Sequence, residues 1–220
     1  MRNSLTPAAA ADLVPDGASV MIGGFMAVGT PNRAIAALVE RGVRGLTIIA
    51  NDTARPGVGI GRLVSAGCVA RVIASHIGTN PETQKAMIAG EIAVERVPQG
   101  TLAERVRAGG AGLGGVLTAT GIGTLAAEGR QIVQVDGRDY LVEPALRAEF
   151  ALVAARSAVG REPGRSRLAE RGSDRTGSGR TGSRTAAVPA PGGLSGISCG
   201  AAIVNPKEVP DGTTQSAPHP

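Results

Sequence analysis

The residues able to do chemistry in this chain are dominated by glycine. Gly23, Gly24, Phe25, Met26, Ala27, Val28 and Gly29 follow directly on the apolar run ASVMI. A glycine pair after a strand lets backbone N–H groups approach a ligand closely and adopt positive φ. The same glycines would serve a tight turn equally well. A second group, Gly121, Gly123 and Ala126, has the G-x-G-x-x-A spacing of a dinucleotide loop. The LAAEG that follows is too short for the crossover helix such a loop requires. A Walker-type phosphate loop is excluded, because neither Lys85 nor Lys207 follows a glycine in G-K-S/T form.

Other reactive side chains are sparse. His76 and His219 do not make a histidine-rich metal site. Ser75 and His76 are adjacent, which is not how a nucleophile meets its base; at a strand end, His76 reads as a hydrogen-bonded structural residue. No glycine-flanked serine elbow occurs in the first 155 residues. Cys68 and Cys199 lie far apart with no C-x-x-C spacing, so both are expected to be free thiols in a reducing compartment.

The elements that must position these residues alternate. Apolar runs at 18–24, 46–50, 69–75, 93–97 and 150–155 read as strands, and segments from 31, 61, 81 and 102 read as helices. Thr30 is expected to cap the first of these helices, Pro31 to open it and Gly42 to end it. Residues 109–115 read as a glycine-rich loop, and 132–136 with 140–143 as a hairpin. This order implies an α/β fold with an open, mostly parallel, doubly wound sheet. In such sheets ligands gather beyond the carboxyl ends of the strands, which puts Asn51 and Asp52, at the end of the second strand, in the same cleft as the glycine loop.

The formal charge of +5 is unevenly placed. Residues 1–155 hold 14 Lys+Arg against 13 Asp+Glu, and residues 156–220 hold 9 against 5. A near-neutral core gives no electrostatic reason to expect a nucleic-acid partner. There is no secretory-type apolar region at the N-terminus, and no run of about 20 apolar residues that would span a membrane. A cytoplasmic location is expected.

At residues 16–31 the segment DGASVMIGGFMAVGTP resembles the first signature of the family I coenzyme A transferases. Similar segments follow in order: LTIIANDTA at 46–54, ASHIGTNPETQKAMIAGE at 74–91 and VPQGTLAERVRAGGAGLGG at 97–115. TATGIGTL at 118–125 and YLVEPALRAEFALV at 140–153 complete the set. The resemblance is to the A-type (α) subunit, and SHIGTNPET with ANDTA is most similar to the acetate/acetoacetate type.

The resemblance implies that CoA is a substrate, with no permanently bound cofactor. It implies a reaction in which a glutamate attacks an acyl-CoA, the acyl group passes through an anhydride, and CoA is held as a glutamyl thioester until a short-chain carboxylate reverses the steps. That glutamate lies in an S-E-N-G motif of the B-type half, and no Glu of this chain has such a context. The nucleophile is therefore expected from a β subunit. Residues 23–29 match the CoA-contacting loop. Gln99 matches a position whose amide faces the active site, although it would equally brace a Pro-Gln-Gly turn, and Asn51 is a supporting residue. Glu82 and Glu104 read as solvated helix faces.

The likeness stops near residue 155. The D-x-x-G-N turn and A-R-N-F-N-P segment of the family do not follow, and residues 156–184 carry eight arginines among Gly, Ser and Thr. The sequence therefore divides into a transferase-type domain, 1–155, and an Arg/Gly/Ser/Pro-rich tail, 156–220, expected to be disordered. The tail resembles a shifted reading frame in a GC-rich gene. An inactive remnant of the family is the alternative that this leaves open.

Overall fold

The computed structural model describes residues 5–155 and, for the backbone, 200–204. Its main sheet has the strand order β4-β3-β2-β1-β8-β9. The strands are β1 (Ser19–Ile22), β2 (Leu46–Asp52), β3 (Val69–His76), β4 (Ala93–Arg96), β8 (Phe150–Ala155) and β9 (Gly200–Val204). All neighbours are parallel except β9, which runs antiparallel to β8. Each parallel pair needs a crossover, and α2 (Asn32–Arg41), α3 (Gly61–Ser65) and α4 (Pro81–Ile88) supply those between β1 and β4.

Side chains alternate across each strand, which divides the core into two layers. On one face Val20, Ile22, Leu46, Ile48 and Val72 pack against Ile35 and Leu38 of α2 and Leu63 of α3. On the other, Ile49 and Ile73 meet Leu102 of α5 (Gln99–Gly110), with Met21 and Val106 alongside. Full burial contributes about 1.5–3 kcal/mol for each such side chain. Helices on both faces of a mainly parallel sheet make the doubly wound arrangement expected from the sequence.

The chain steps outward from β1 to β4 and then returns to the opposite side of β1 as β8. The order therefore reverses between β1 and β8, where adjacent crossovers diverge and leave a crevice at the carboxyl ends. Gly23 emerges from β1 at that point and donates to the carbonyl of Leu152 at 3.0 Å.

Several elements differ from expectation. Thr30 is buried and does not cap α2; Pro31 takes the cap position without a side-chain bond, and Gly42 ends the helix at φ 73°. Helix α5 starts at Gln99 and runs through Gly109 and Gly110, so the glycine-rich loop is shorter than its composition suggests. A short helix, α1 (Pro7–Ala11), is capped by Thr6 and tied to α2 where Arg41 donates to the Ala11 carbonyl. The 132–143 hairpin is present as β6 (Ile132–Val135) and β7 (Arg138–Pro144), and β5 (Gly115–Thr118) joins it in a separate antiparallel sheet, β5-β7-β6. The expectation of a disordered tail falls on residues outside those described, apart from β9, which lies within it and adds an edge to β8.

Candidate functional site

The loop after β1 folds into a two-residue hairpin. Phe25 N–H donates to Val28 O at 3.0 Å and Val28 N–H returns the bond at 2.8 Å. The two residues between them, Met26 and Ala27, both take positive φ, 49° and 68°. Such a turn normally calls for Asn-Gly, and each L-residue in this region costs about 1–2 kcal/mol. Gly24 must be glycine: at φ +116° an added Cβ would fall 2.3 Å from Thr30 Oγ1. The flanking Phe25 and Val28 are exposed, at 60% and 78% accessibility, while Met26 and Ala27 at the tip are half-buried.

The N–H groups of Phe25, Met26 and Val28 are all committed inside the protein. Those of Gly24, Ala27 and Gly29 donate to no atom of the described residues.

A chain of amides runs from this loop into the sheet. Asn51 Nδ2 donates to the Gly24 carbonyl at 2.8 Å, and a carbonyl can only accept. That fixes Asn51 Oδ1 toward Gln99, whose Nε2 donates to it at 2.6 Å. Gln99 Oε1 is then turned toward Ser75, whose hydroxyl reaches both that oxygen and the Asn51 carbonyl, the latter at 2.7 Å. The Gly24 carbonyl thus orients the amides of Asn51 on β2 and Gln99 on α5, and the single Ser75 proton on β3 is shared between Gln99 Oε1 and the Asn51 carbonyl. Gln99, the first residue of α5, bonds Asn51 and Ser75 and is linked to the glycine loop only through Asn51.

Asn51 and Asp52 were expected to share a cleft, and strand alternation separates them. Asn51 faces the α5 side. Asp52 faces the opposite layer and is 2% exposed, with Oδ2 accepting from Met26 N–H at 2.9 Å and Oδ1 from Ala54 N–H at 2.7 Å. His76 also departs from its expected role: it is exposed at the end of β3, its ring lies over Gly78, and its ring nitrogens make no hydrogen bond among the described residues. Glu82 and Glu104 are exposed on helix surfaces as expected, Glu104 pairing with Arg107.

Beside the loop lies a cleft of ≈ 450 Å³ between α5 and the β1/β8 half of the sheet. Met21, Ile49, Leu102, Val106, Ala151 and Val153 are among its walls, Gly23 and Asn51 stand at its polar end, and no charged side chain lines it. Sequence reading placed the glycine loop and Asn51 in a cleft but missed its apolar walls, which come from four separate segments. Helical spacing of Leu102 and Val106, now seen on one face of α5, was the available signal.

Glu95 and Glu143 do not reach the loop. They are held by Arg71, Arg105 and Arg130 in an ion cluster that joins the two sheets. Burial works against the Glu95 carboxylate, but hydrogen bonds from Arg105, Arg71 and Arg130 outweigh it and hold its pKa below the usual range. The arrangement therefore offers an apolar channel, free N–H donors and oriented amides, with no nucleophile or general base at its mouth among the described residues. No group of His, Cys, Asp and Glu able to hold a metal occurs among them, and no helix there is long and apolar enough to cross a membrane.

Residues 5–180 match the family model described as Coenzyme A transferase. The chain is 59% identical over 140 residues to the acetate CoA-transferase subunit alpha of Escherichia coli, covering 64% of each chain. It is 51% identical over 138 residues to the acetoacetyl-CoA:acetate/butyrate CoA transferase alpha subunit of Clostridium acetobutylicum, covering 63% of each. The match thus spans under two thirds of the length of these relatives. Among solved structures, the crystal structure of an acyl-CoA transferase from Escherichia coli, in thioester complex with CoA, has the same fold. Its TM-score is 0.61 at 23% identity, over 67% of this chain and 33% of that one.

Proposed function

This chain belongs to the coenzyme A transferase family, and on that premise we propose that it is the α-type subunit of an enzyme moving CoA between a short-chain acyl-CoA and an acetate or 3-oxoacid carboxylate. The identity to acetate and acetoacetate/butyrate relatives favours that substrate class. The observation that carries the division of labour is the composition of the site. In the loop, the N–H groups of Gly24, Ala27 and Gly29 donate to no atom of the described residues; the apolar cleft beside it starts at Gly23 and Asn51, and no carboxylate of the described residues lines that cleft.

In this reading a β-type partner supplies a glutamate carboxylate. Its oxygen attacks the thioester carbonyl, the C–S bond breaks, and CoA leaves as a thiolate. The thiolate then attacks the glutamyl carbonyl of the mixed anhydride and releases the carboxylate product. The glutamyl thioester that remains is opened by the second carboxylate through the same steps in reverse. Residues 23–29 meet the CoA thioester and offer N–H groups to the oxyanion, whose stabilisation by one fixed donor is worth about 10²–10³ in rate. Asn51 and Gln99 hold that loop and the acyl carbonyl in register, and the cleft beside them takes the apolar part of the acyl or pantetheine chain.

Co-expression with a β-type partner, followed by a CoA-exchange assay with acetyl-CoA and acetoacetate, tests the proposal. A soluble complex that transfers CoA, with this chain alone inactive, is the expected result. Transfer by this chain alone, or none from a soluble complex, would refute it.

A further inference from the structure

The hairpin turn at Met26 and Ala27 is not selected by its own sequence. Two adjacent L-residues occupy the left-handed region where Asn-Gly is the usual solution, so the conformation must be imposed from outside the loop. Two neighbouring residues of β2 do this from opposite faces of the strand. Asn51 grips the loop at the Gly24 carbonyl and Asp52 grips it at the Met26 N–H. Asp52 is the more constrained of the two. Its carboxylate is buried, has no ion-pair partner among the described residues, and is balanced by two backbone N–H groups, one from its own strand end and one from the loop. The bond to Ala54 N–H anchors the carboxylate, and the bond to Met26 N–H transmits that anchorage to the turn. On the far side Ala27 is backed by Gly59, where a Cβ would approach the Ala27 Cβ to 3.0 Å.

We propose that Asp52 is a positioning residue for CoA transfer: its buried carboxylate holds Met26 and Ala27 in the strained turn that leaves the Gly24, Ala27 and Gly29 N–H groups free for the reacting thioester. This rests on the reading of that loop as the CoA-contacting element. It assigns Asp52 no contact with substrate; the side chain acts only through the loop.

The separating variant is Asp52→Ser. A serine hydroxyl still reaches the N–H two residues on, as in an ST-turn, and so keeps the Ala54 bond, but it is too short to reach Met26. Full-length chain carrying Asp52→Ser, in complex with its β-type partner, is expected to lose about 100-fold in kcat, the scale of a misplacement of about 1 Å, with KM changed by less than about threefold. Adding Ala27→Gly to that variant, which favours positive φ, should recover at least about tenfold, a rescue that loss of general stability would not show. Activity within about twofold of the parent, or no recovery with glycine, overturns the proposal.

Hydrogen exchange of the Met26 amide in the full chain is measured in parallel and needs no substrate. It should be protected in the parent and lose that protection in Asp52→Ser; equal exchange in the two overturns the proposal. Should the parent complex transfer no CoA, the functional reading fails, and the exchange measurement alone decides whether Asp52 holds the turn.

Discussion

Arg105→Met should be among the more damaging single changes outside the loop. The Arg105 side chain is 4% exposed; its Nε donates to the Pro144 carbonyl at 2.8 Å and its Nη1 to Glu95 at 2.9 Å. The same Nε stands 3.6 Å from Glu143 Oε2, an oxygen with no hydrogen bond of its own. Glu95 would keep Arg71 and Arg130. Among the described residues Glu143, also 4% exposed, would keep only Arg130 at 3.5 Å. Removing one partner from a buried pair costs about 3–5 kcal/mol, here because Glu143 is left with one pairing at 3.5 Å and a buried oxygen that has no hydrogen bond. Against a typical total stability of about 5–15 kcal/mol that is a large fraction, and it corresponds to a fall in Tm of roughly 6–20 °C. The measurement is urea unfolding of Arg105→Met, Glu143→Leu and the double variant. An apolar pair of similar volume can replace a buried ion pair at little cost. The double variant should therefore be more stable than either single one by about 2 kcal/mol or more. A cost below about 1 kcal/mol for Arg105→Met, or additive losses in the double variant, would refute the argument that burial makes this cluster interdependent.

Three further outcomes follow from the same geometry. Gly24→Ala should lower stability by about 2–4 kcal/mol, combining a φ that L-residues avoid with a clash against Thr30; a urea midpoint unchanged from the parent would contradict it. Glu95 has a folded-state pKa below its unfolded value, so its contribution is fully present above about pH 4.3 and is lost as pH falls through the folded pKa. Glu95→Gln should accordingly be less stable than the parent at pH 7 and show a flatter acid limb in pH-dependent unfolding. Burial pushes the Cys68 thiol up, with Arg44 pulling it partly back, so in a Cys199→Ser background it should resist N-ethylmaleimide at pH 7 until urea unfolds the chain.

The parallel strands were legible because each carries its own signal. LTIIAND alternates between two buried layers, the 69–75 run buries Val69, Val72, Ile73 and Ala74, and FALVAA at 150–155 is wholly apolar. The glycine loop was legible too, since Gly24 and Gly29 stand where the chain leaves a strand and turns back. What the sequence hid was direction. Asn51 and Asp52 are neighbours in sequence, yet the period of two sends them to opposite faces, and only one lines the cleft. Gly100, Gly109 and Gly110 disguised both ends of α5, because packing of Leu102 and Arg105 overrides their low helix propensity. Arg105 and Glu143 are separated by 38 positions, and no local pattern announces that they meet. The pairing of β5 with β7 was hidden for the same reason: it depends on a long-range register, Val116 against Glu143, which neither segment specifies alone.

In the proposed enzyme this chain shapes the CoA site while a β-type partner carries the nucleophile. Mass spectrometry of the two-subunit complex, denatured during turnover with acetyl-CoA, tests it most directly. CoA is expected as a thioester on a glutamate of the partner, with this chain at its unmodified mass. CoA attached to any glutamate of this chain would contradict it.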